Sequence, residues 1–246
     1  MEQYLSFALL IPVQLSTVTL RLGLAYFVAF VCGFGVIGCS SGSGAALAAS
    51  KSVFSGAAAE DTPVRLDQRY RYLKLTAFGR SVYPVLGFVD GSTEVWYTGQ
   101  GEVVRLINGR LSDSAGLPTD WRAVYAPGAP DWSSVFVQAV RYERRRDVVK
   151  GSYSSVSDQV SVARISAPQP VVVANNLSSE LIWFEESSST NDPRFRVGTA
   201  LYAVNMASVP PKVVYSEQCL GESLCLKMQE WSAAQQSVFN EKATKP

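Results

Sequence analysis

The chain has 246 residues, with 22 lysine and arginine residues against 21 aspartate and glutamate residues, and a net charge of +1. This balance gives no indication of nucleic acid or of a strongly acidic partner. The sequence contains no histidine, which excludes Ser-His-Asp triads, Cys-His pairs and any histidine general base, and with them most hydrolase designs.

The N-terminal segment has the layout of a lipoprotein signal peptide. Arg21 precedes an uncharged apolar run, LGLAYFVAFVCGFGVI, over residues 22–37, and a cation, an apolar region and small residues are typical of secretory signals. The tetrapeptide VIGC, which ends at Cys39, is similar to the lipobox of bacterial lipoproteins. We therefore predict that residues 1–38 are a signal peptide and that Cys39 is acylated, with palmitate among its lipids.

Two other interpretations of this segment stay open. Residues 22–38 are at the lower limit of the length that spans a bilayer, so the run could be a retained transmembrane helix. Cys39 could also be an ordinary thiol behind a plain signal peptide. Ser40 follows the cysteine, and not the aspartate that commonly retains lipoproteins at the inner membrane. We therefore expect the anchored protein at the outer membrane, facing the periplasm.

A tether is predicted between the anchor and the folded part. Residues 39–63 are small and weakly hydrophobic, so they cannot bury a core and favour a flexible linker. After Pro63 the sequence changes to short alternating runs. Residues 64–246 are therefore predicted to form a β-rich domain of ordinary size.

The first half of this domain has the pattern of an antiparallel meander. Between residues 66 and 112, strand-like runs are separated by Asp90-Gly91 and Asn108-Gly109. These residue pairs tolerate positive φ in two-residue hairpin turns. We therefore expect the two pairs to be the turns of consecutive hairpins.

Further short runs continue to Cys219 without a convincing helical period. Only residues 230–242 favour a helix, a short terminal one with Trp231 and Val238-Phe239 facing inward. Many short strands with regular turns predict an all-β fold, which is an antiparallel barrel-like or sandwich domain.

Cys219 and Cys225 lie close together in the segment CLGESLC. An even pair in a chain that enters an oxidising compartment predicts a disulfide. Closing so small a ring stabilises by roughly 2 kcal/mol, so the bond would fix a local loop. A zinc site is the alternative, but two thiolates without histidine leave the tetrahedral ligand set incomplete.

Residues 69–121 contain a tyrosine-rich first strand, VLGFVDG before a polar-aromatic strand at Trp96, VVRLINGRL with an Asn-Gly-Arg turn, and GLPTDW. In these features the sequence resembles the YjbF/GfcB family of lipoproteins, which are associated with group 4 capsule and exopolysaccharide formation. Residues 195–218, FRVGTALYAVNMASVPPKVVYSEQ, lie where that family has an aromatic strand, a turn and a further strand.

The resemblance implies a barrel-like or sandwich fold, lipid attachment at the outer membrane, no cofactor, and a companion that is an outer-membrane β-barrel polysaccharide-export protein. We expect a non-enzymatic lipoprotein that supports capsule or exopolysaccharide assembly or secretion, without a nucleic-acid partner. Two alternatives remain: a lipoprotein that binds the polysaccharide directly, and a carbohydrate-active enzyme that uses carboxylates alone.

Neighbouring acids are the candidates for such an enzyme. They are Glu60-Asp61, Asp90 with Glu94, and Glu185-Glu186. Within a strand, Glu185 and Glu186 would point to opposite faces and could not flank one glycosidic bond. We interpret all three groups as solvated charges, and assign no catalytic residue and no metal site.

Residues 141–150, RYERRRDVVK, contain four arginines: Arg141, Arg144, Arg145 and Arg146. Guanidinium groups form bidentate hydrogen bonds with anions, so this run could bind an acidic polysaccharide or a lipid head group. A charged hairpin end between two strands is the alternative interpretation.

Three tryptophans could stack on sugar rings if they were exposed: Trp96, Trp121 and Trp132. Core packing is the commoner fate of a tryptophan on a strand, because the ring has a large apolar area to bury. We therefore expect these side chains in the core.

The lipobox interpretation gives a direct test at Cys39. In cells labelled with a fatty-acid analogue, the wild-type protein should carry the label and Cys39→Ala should not. Equal labelling of the two proteins would contradict acylation at this residue.

Overall fold

The computed structural model describes residues 58–59, 62–150, 152–168, 173 and 181–243. The predicted signal peptide, the acylation site at Cys39 and most of the predicted tether lie outside these residues. Within the described part of the chain, no helix is both long and apolar enough to cross a bilayer.

Antiparallel strands make up most of the regular structure in the described residues. In chain order they are β1 (Ala58–Ala59), β2 (Tyr72–Ala77), β3 (Arg80–Val82), β4 (Val85–Asp90), β5 (Thr93–Tyr97), β6 (Val103–Ile107), β7 (Arg110–Ala115), β8 (Asp120–Tyr125), β9 (Val140–Lys150), β10 (Ser152–Ile165), β11 (Ile182–Thr190), β12 (Ala200–Asn205), β13 (Lys212–Gly221) and β14 (Leu224–Trp231). The helices are α1 (Trp132–Val137), a single 3-10 turn at Pro193–Phe195, and α2 (Ala233–Ala243).

Twelve of the strands form a nearly closed antiparallel barrel. Their hydrogen-bonding order is β7-β6-β5-β4-β2-β14-β13-β12-β11-β10-β9-β8. Off this path, β3 pairs with β2, and β1 pairs with β3. The prediction of an all-β, barrel-like fold is confirmed. Most neighbours in the order are also neighbours in sequence, because tight turns join antiparallel strands directly.

The predicted meander is confirmed, and one of its two turns is shifted. Asn108 and Gly109 have φ values of 51° and 76° and form the two-residue turn between β6 and β7. At the other turn Asp90 pairs with Thr93, so the turn residues are Gly91 and Ser92 and not Asp90-Gly91. Gly91, with φ of 56°, supplies the left-handed conformation that this turn needs.

Side-chain hydrogen bonds join β7 and β8, the two ends of the strand order. The Asp120 carboxylate accepts from the backbone N–H groups of Gly116 and Leu117, both at 3.0 Å, and from the Ser114 hydroxyl at 3.1 Å. The Trp121 backbone N–H donates to the Ser114 hydroxyl at 3.0 Å. One buried serine and one buried aspartate therefore hold the seam of the barrel.

Alternate residues along the strands point into the barrel and fill it. One apolar cluster is centred on Trp96, Trp121 and Leu226, and a second on Phe184 and Tyr202. Fully burying each large apolar side chain contributes roughly 1.5–3 kcal/mol. Two apolar clusters thus fill the barrel interior, and a layer of polar and charged side chains lies between them.

A third cluster lies on the opposite face of the sheet. Trp183 and Tyr215 pack there at 5.9 Å between ring centroids, covered in part by Val173 and Leu181. Trp183 and Phe184 are adjacent in β11 but belong to different clusters, because successive side chains of a strand point to opposite faces.

The predicted C-terminal helix forms, but it begins at Ala233 and not at residue 230, because Glu230 and Trp231 are the last residues of β14. Trp231 is buried and its ring lies 6.4 Å from that of Phe239, but Val238 is 55% exposed and does not face inward. The Asn240 side chain accepts a hydrogen bond from the Val64 backbone N–H at 3.2 Å and donates to the Val64 carbonyl at 2.9 Å. The helix is therefore fastened to the segment that leads into β2.

A disulfide joins Cys219 and Cys225, with an S–S distance of 2.05 Å. The two cysteines are paired across β13 and β14, so the bond closes the end of this hairpin. The disulfide predicted from the sequence spacing is confirmed.

The Asn108-Gly109 turn lies against β13, so glycine is required there for two reasons. Its φ is positive, and a Cβ atom would overlap the Val213 side chain. We expect Gly109→Ala to lower the free energy of unfolding by about 2–4 kcal/mol, the sum of left-handed strain and overpacking.

Gly91→Ala is the matched control, because Gly91 also has positive φ but no atom within 4 Å of the added Cβ. It should cost about 1–2 kcal/mol, for strain alone. Denaturant unfolding of both variants measures the difference, and equal losses would show that the contact with β13 is unimportant.

Candidate functional site

The arginine-rich run of residues 141–150 forms β9 along its whole length. Arg144 and Arg146 are buried, whereas Arg141 and Arg145 are exposed. The run is therefore a strand and not a hairpin end. Its period-2 geometry separates the four arginines predicted as one anion site into an inner pair and an outer pair.

Asp158 on β10 pairs with both inner arginines. Its carboxylate accepts from Arg146 Nε at 2.7 Å and Nη2 at 3.1 Å, and from Arg144 Nε at 3.0 Å. The side chains of Asp158 and Arg146 are both 0% exposed. Charges removed so completely from water are tolerated only when they are paired and hydrogen-bonded.

Glu186 on β11 is the second buried acid. Its carboxylate accepts from Arg110 Nε at 3.0 Å, Arg144 Nη1 at 3.1 Å and the Tyr142 hydroxyl at 2.9 Å. The neighbouring Glu185 is exposed, so the prediction that the two acids face opposite ways is confirmed. The prediction that both are solvated is wrong for Glu186, because the closed barrel places its face of β11 inside.

We call the five charged residues of this layer the ion-pair network: Arg110, Arg144, Arg146, Asp158 and Glu186. Arg144 is its centre, because it contacts both carboxylates. Burial lowers the pKa of Arg144, but the charges of Glu186 and Asp158 outweigh burial and raise it above its ordinary value. Burial, followed by the charge of Glu186, also raises the pKa of the Tyr142 hydroxyl.

Gln218 on β13 lies beside the network and holds the Asn108-Gly109 turn and the start of β7. Its side-chain oxygen accepts from the Leu111 backbone N–H at 2.8 Å and from the Tyr202 hydroxyl at 3.1 Å. Its amide nitrogen donates to the Gly109 carbonyl at 2.9 Å and to Ser216 at 3.0 Å. The side chain therefore has a partner for each of its four hydrogen bonds.

Two of the three tryptophans considered for sugar stacking contact the network from the core. The guanidinium carbon of Arg110 lies 3.8 Å from the ring centroid of Trp132, and that of Arg146 lies 4.9 Å from the centroid of Trp121. Trp96 is also buried, at 1% exposure. Core packing, the expected fate of these three side chains, is confirmed.

Two cavities flank the Asn108-Gly109 turn. The smaller has a volume of about 110 Å³ and is lined on its polar side by Arg110, Tyr142, Arg144, Tyr202 and Gln218. The larger, of about 330 Å³, lies between this turn, the Gly91-Ser92 turn and the loop before β13. The turn therefore forms a common wall of both cavities.

The remaining candidate acids do not form a site together. Asp90 is exposed, and Glu94 lies 3.6 Å from Arg71 across an outer ion pair. Glu60 and Asp61 lie outside the described residues. Within the described ranges no three cysteine or acidic side chains are grouped so that they could hold a metal ion.

Three members of the site were missed from the sequence: Arg110, Asp158 and Gln218. Asp158 had a visible signal, because it alternates with Val156, Val160 and Val162 on one face of a strand pattern. An acid on an apolar strand face indicates a buried partner. Arg110 had no such signal, since its partner Glu186 is 76 positions away.

The chain is similar in structure to the hypothetical lipoprotein YmcC from Escherichia coli K12, which has been solved by crystallography. The TM-score is 0.55 and the sequence identity 18%, over 74% of this chain and 94% of that chain. At this identity the likeness is one of fold. No protein-family model matches the chain, and no curated protein sequence matches it.

The ion-pair network predicts a large cost for removing one buried charge. Asp158→Asn leaves Arg146 without its paired charge inside the barrel, and should lower the free energy of unfolding by about 3–5 kcal/mol. Glu185→Gln, on the exposed face of β11, should change it by less than about 0.5 kcal/mol. Chemical denaturation compares them, and similar values for the two variants would contradict the structural role of the network.

Proposed function

We propose that this protein is a lipid-anchored lipoprotein of the YjbF/GfcB type that supports the assembly or secretion of capsule or exopolysaccharide. The observation that carries the proposal is the fold likeness to the lipoprotein YmcC, which extends over 94% of that chain. The VIGC segment that ends at Cys39 supports a lipid anchor, and Ser40 after it supports the outer membrane.

The proposed role is docking and not catalysis. Asp158 and Glu186, the acids of the barrel interior, accept hydrogen bonds from two arginines each. Carboxylates engaged in this way are poorly placed to act as the acid and base of a glycosidase, which must face a sugar from two sides. The interior supports a structural role for both acids.

The partner in this proposal is an outer-membrane β-barrel export protein. The outer face of β4, β5 and β6 carries two large exposed apolar side chains: Phe88 and Tyr97 are 54% and 45% exposed. Val95 lies between Phe88 and Arg105 in the sheet register, so these side chains belong to one face. Grouped exposed apolar side chains indicate a protein contact, and we assign this outer face to the partner.

The test is a deletion strain complemented with variants. Wild type should restore the surface or secreted polymer and should co-purify with the β-barrel partner from detergent-solubilised membranes. Cys39→Ala should restore little polymer, because without the anchor the domain is not held at the membrane. Phe88→Ser with Tyr97→Ser should remain folded but lose both the partner and the polymer.

Val238→Ser is the matched control, since it removes an exposed apolar side chain from α2 and not from the outer face of β4–β6. It should behave as wild type. Full rescue by Cys39→Ala, or unchanged co-purification of the outer-face variant, would overturn the proposal.

A further inference from the structure

The ion-pair network is not electrically balanced. Three guanidinium groups, those of Arg110, Arg144 and Arg146, share two carboxylates. An uncompensated charge in a buried site is costly because water no longer solvates it. The interior therefore has one positive charge more than its own acids neutralise.

No other buried acid in the described part of the chain supplies the missing charge. The two remaining ones are Glu102 and Asp120. Glu102 is bonded to Thr98, and Asp120 holds the barrel seam and lies 3.7 Å from Arg122. Both acids therefore contact groups outside the network and do not neutralise its charge.

Arg110 has a donor that no described residue satisfies. Its Nε binds Glu186 and its Nη1 donates to the Pro130 carbonyl at 3.1 Å. Its Nη2 is buried and has no hydrogen-bond partner among the residues that the structure describes. Buried donors without partners are uncommon in folded proteins, and one on a charged group calls for an acceptor.

The 110 Å³ cavity lies beside this arginine. Its polar lining includes Arg110 and Arg144 together with the hydroxyls of Tyr142 and Tyr202. Its opposite wall is apolar and includes Val124 and Ala129. The volume is several times what one water molecule needs, so a carboxylate group can enter with part of the molecule that carries it.

We infer that this cavity binds the carboxylate of a ligand, with the Arg110 guanidinium group as the principal donor. A carboxylate supplies both the acceptor and the negative charge that the network lacks, and arginine is the side chain best suited to it. The carboxylate belongs to a sugar acid of the polymer or to a free small acid. The binding site rests on the geometry, and only the assignment to a sugar acid rests on the proposed function.

The test is a titration of the purified full-length protein in detergent with sodium glucuronate. Calorimetry measures the binding, and thermal unfolding measures the change in Tm. Sodium glucuronate should bind saturably and raise the Tm, whereas glucose with equimolar sodium chloride should not. This pair differs in the carboxylate alone, so equal effects, or no effect of either, would overturn the inference. Sodium acetate identifies the source: binding as tight as that of glucuronate assigns the site to free small acids, and clearly weaker binding assigns it to sugar acids.

Two variants localise the binding. Arg110→Gln should raise the Kd for glucuronate at least tenfold, the loss of one charged hydrogen bond, while Arg141→Gln on the exposed face of β9 should leave it unchanged. Ala129→Leu fills the cavity without changing a charge, and should abolish binding in a protein that remains folded. Unchanged affinity in both Arg110→Gln and Ala129→Leu would place the ligand elsewhere and overturn the inference.

The titration is independent of the polymer phenotype. If glucuronate binds as expected but the deletion strain makes normal polymer, the proposed function fails and the carboxylate site stands. If the polymer is lost on deletion but no carboxylate binds, the carboxylate site fails and the proposed function stands.

Discussion

The contacts of Arg144 with Asp158 and Glu186 are the interaction on which the interior of this barrel depends. They join β9, β10 and β11, and Arg110 extends them to β7, at the opposite end of the strand order. Moving these charges out of water is costly, so the network contributes less to net stability than its number of bonds suggests. The network has a greater effect on the register in which the strands pair than on net stability. A slip of β9 by one residue would bring Glu143 and Arg145 inside in place of Arg144 and Arg146, and Glu143 would then bring a like charge towards the buried acids.

The same network explains why the barrel is filled and not hollow. Twelve strands enclose more space than apolar side chains alone occupy here, and the polar layer lies between the two inner clusters. The Asn108-Gly109 turn enters this space from one side and is held by Gln218 and by the Trp132 indole, which donates to the Asn108 carbonyl at 3.0 Å. What remains open is small and lies beside the turn. The two proposed contacts therefore lie apart, the carboxylate in a compact interior cavity and the partner on the outer face of the sheet.

The sequence predicted those parts of the fold that depend on local chemistry. Positive-φ pairs predicted the hairpins, alternation predicted the strands, and the spacing of Cys219 and Cys225 predicted the disulfide. Period-2 alternation also showed that Glu185 and Glu186 face opposite ways, but it could not show which of the two faces is interior. Which face of β11 is interior depends on how the barrel closes. Closure brings together Arg110 and Glu186 from distant parts of the chain. The arginine run was misjudged for the same reason, since the inner pair is identified only by the strands it meets.

The pairing of β2 with β14, together with the contacts between Val64 and Asn240, places the entry and exit of the domain side by side. Tension applied to the chain ahead of Val64 would first load two hydrogen bonds to α2, and only then the ladder between β2 and β14. The hydrogen bonds of that ladder are perpendicular to the strands. A force along β2 is therefore distributed over all of them at once, and they do not break one after another. The disulfide at the far end of β14 prevents the load from separating that strand from β13. The chain thus enters the domain at an edge where the ladder between β2 and β14 resists a pull along β2.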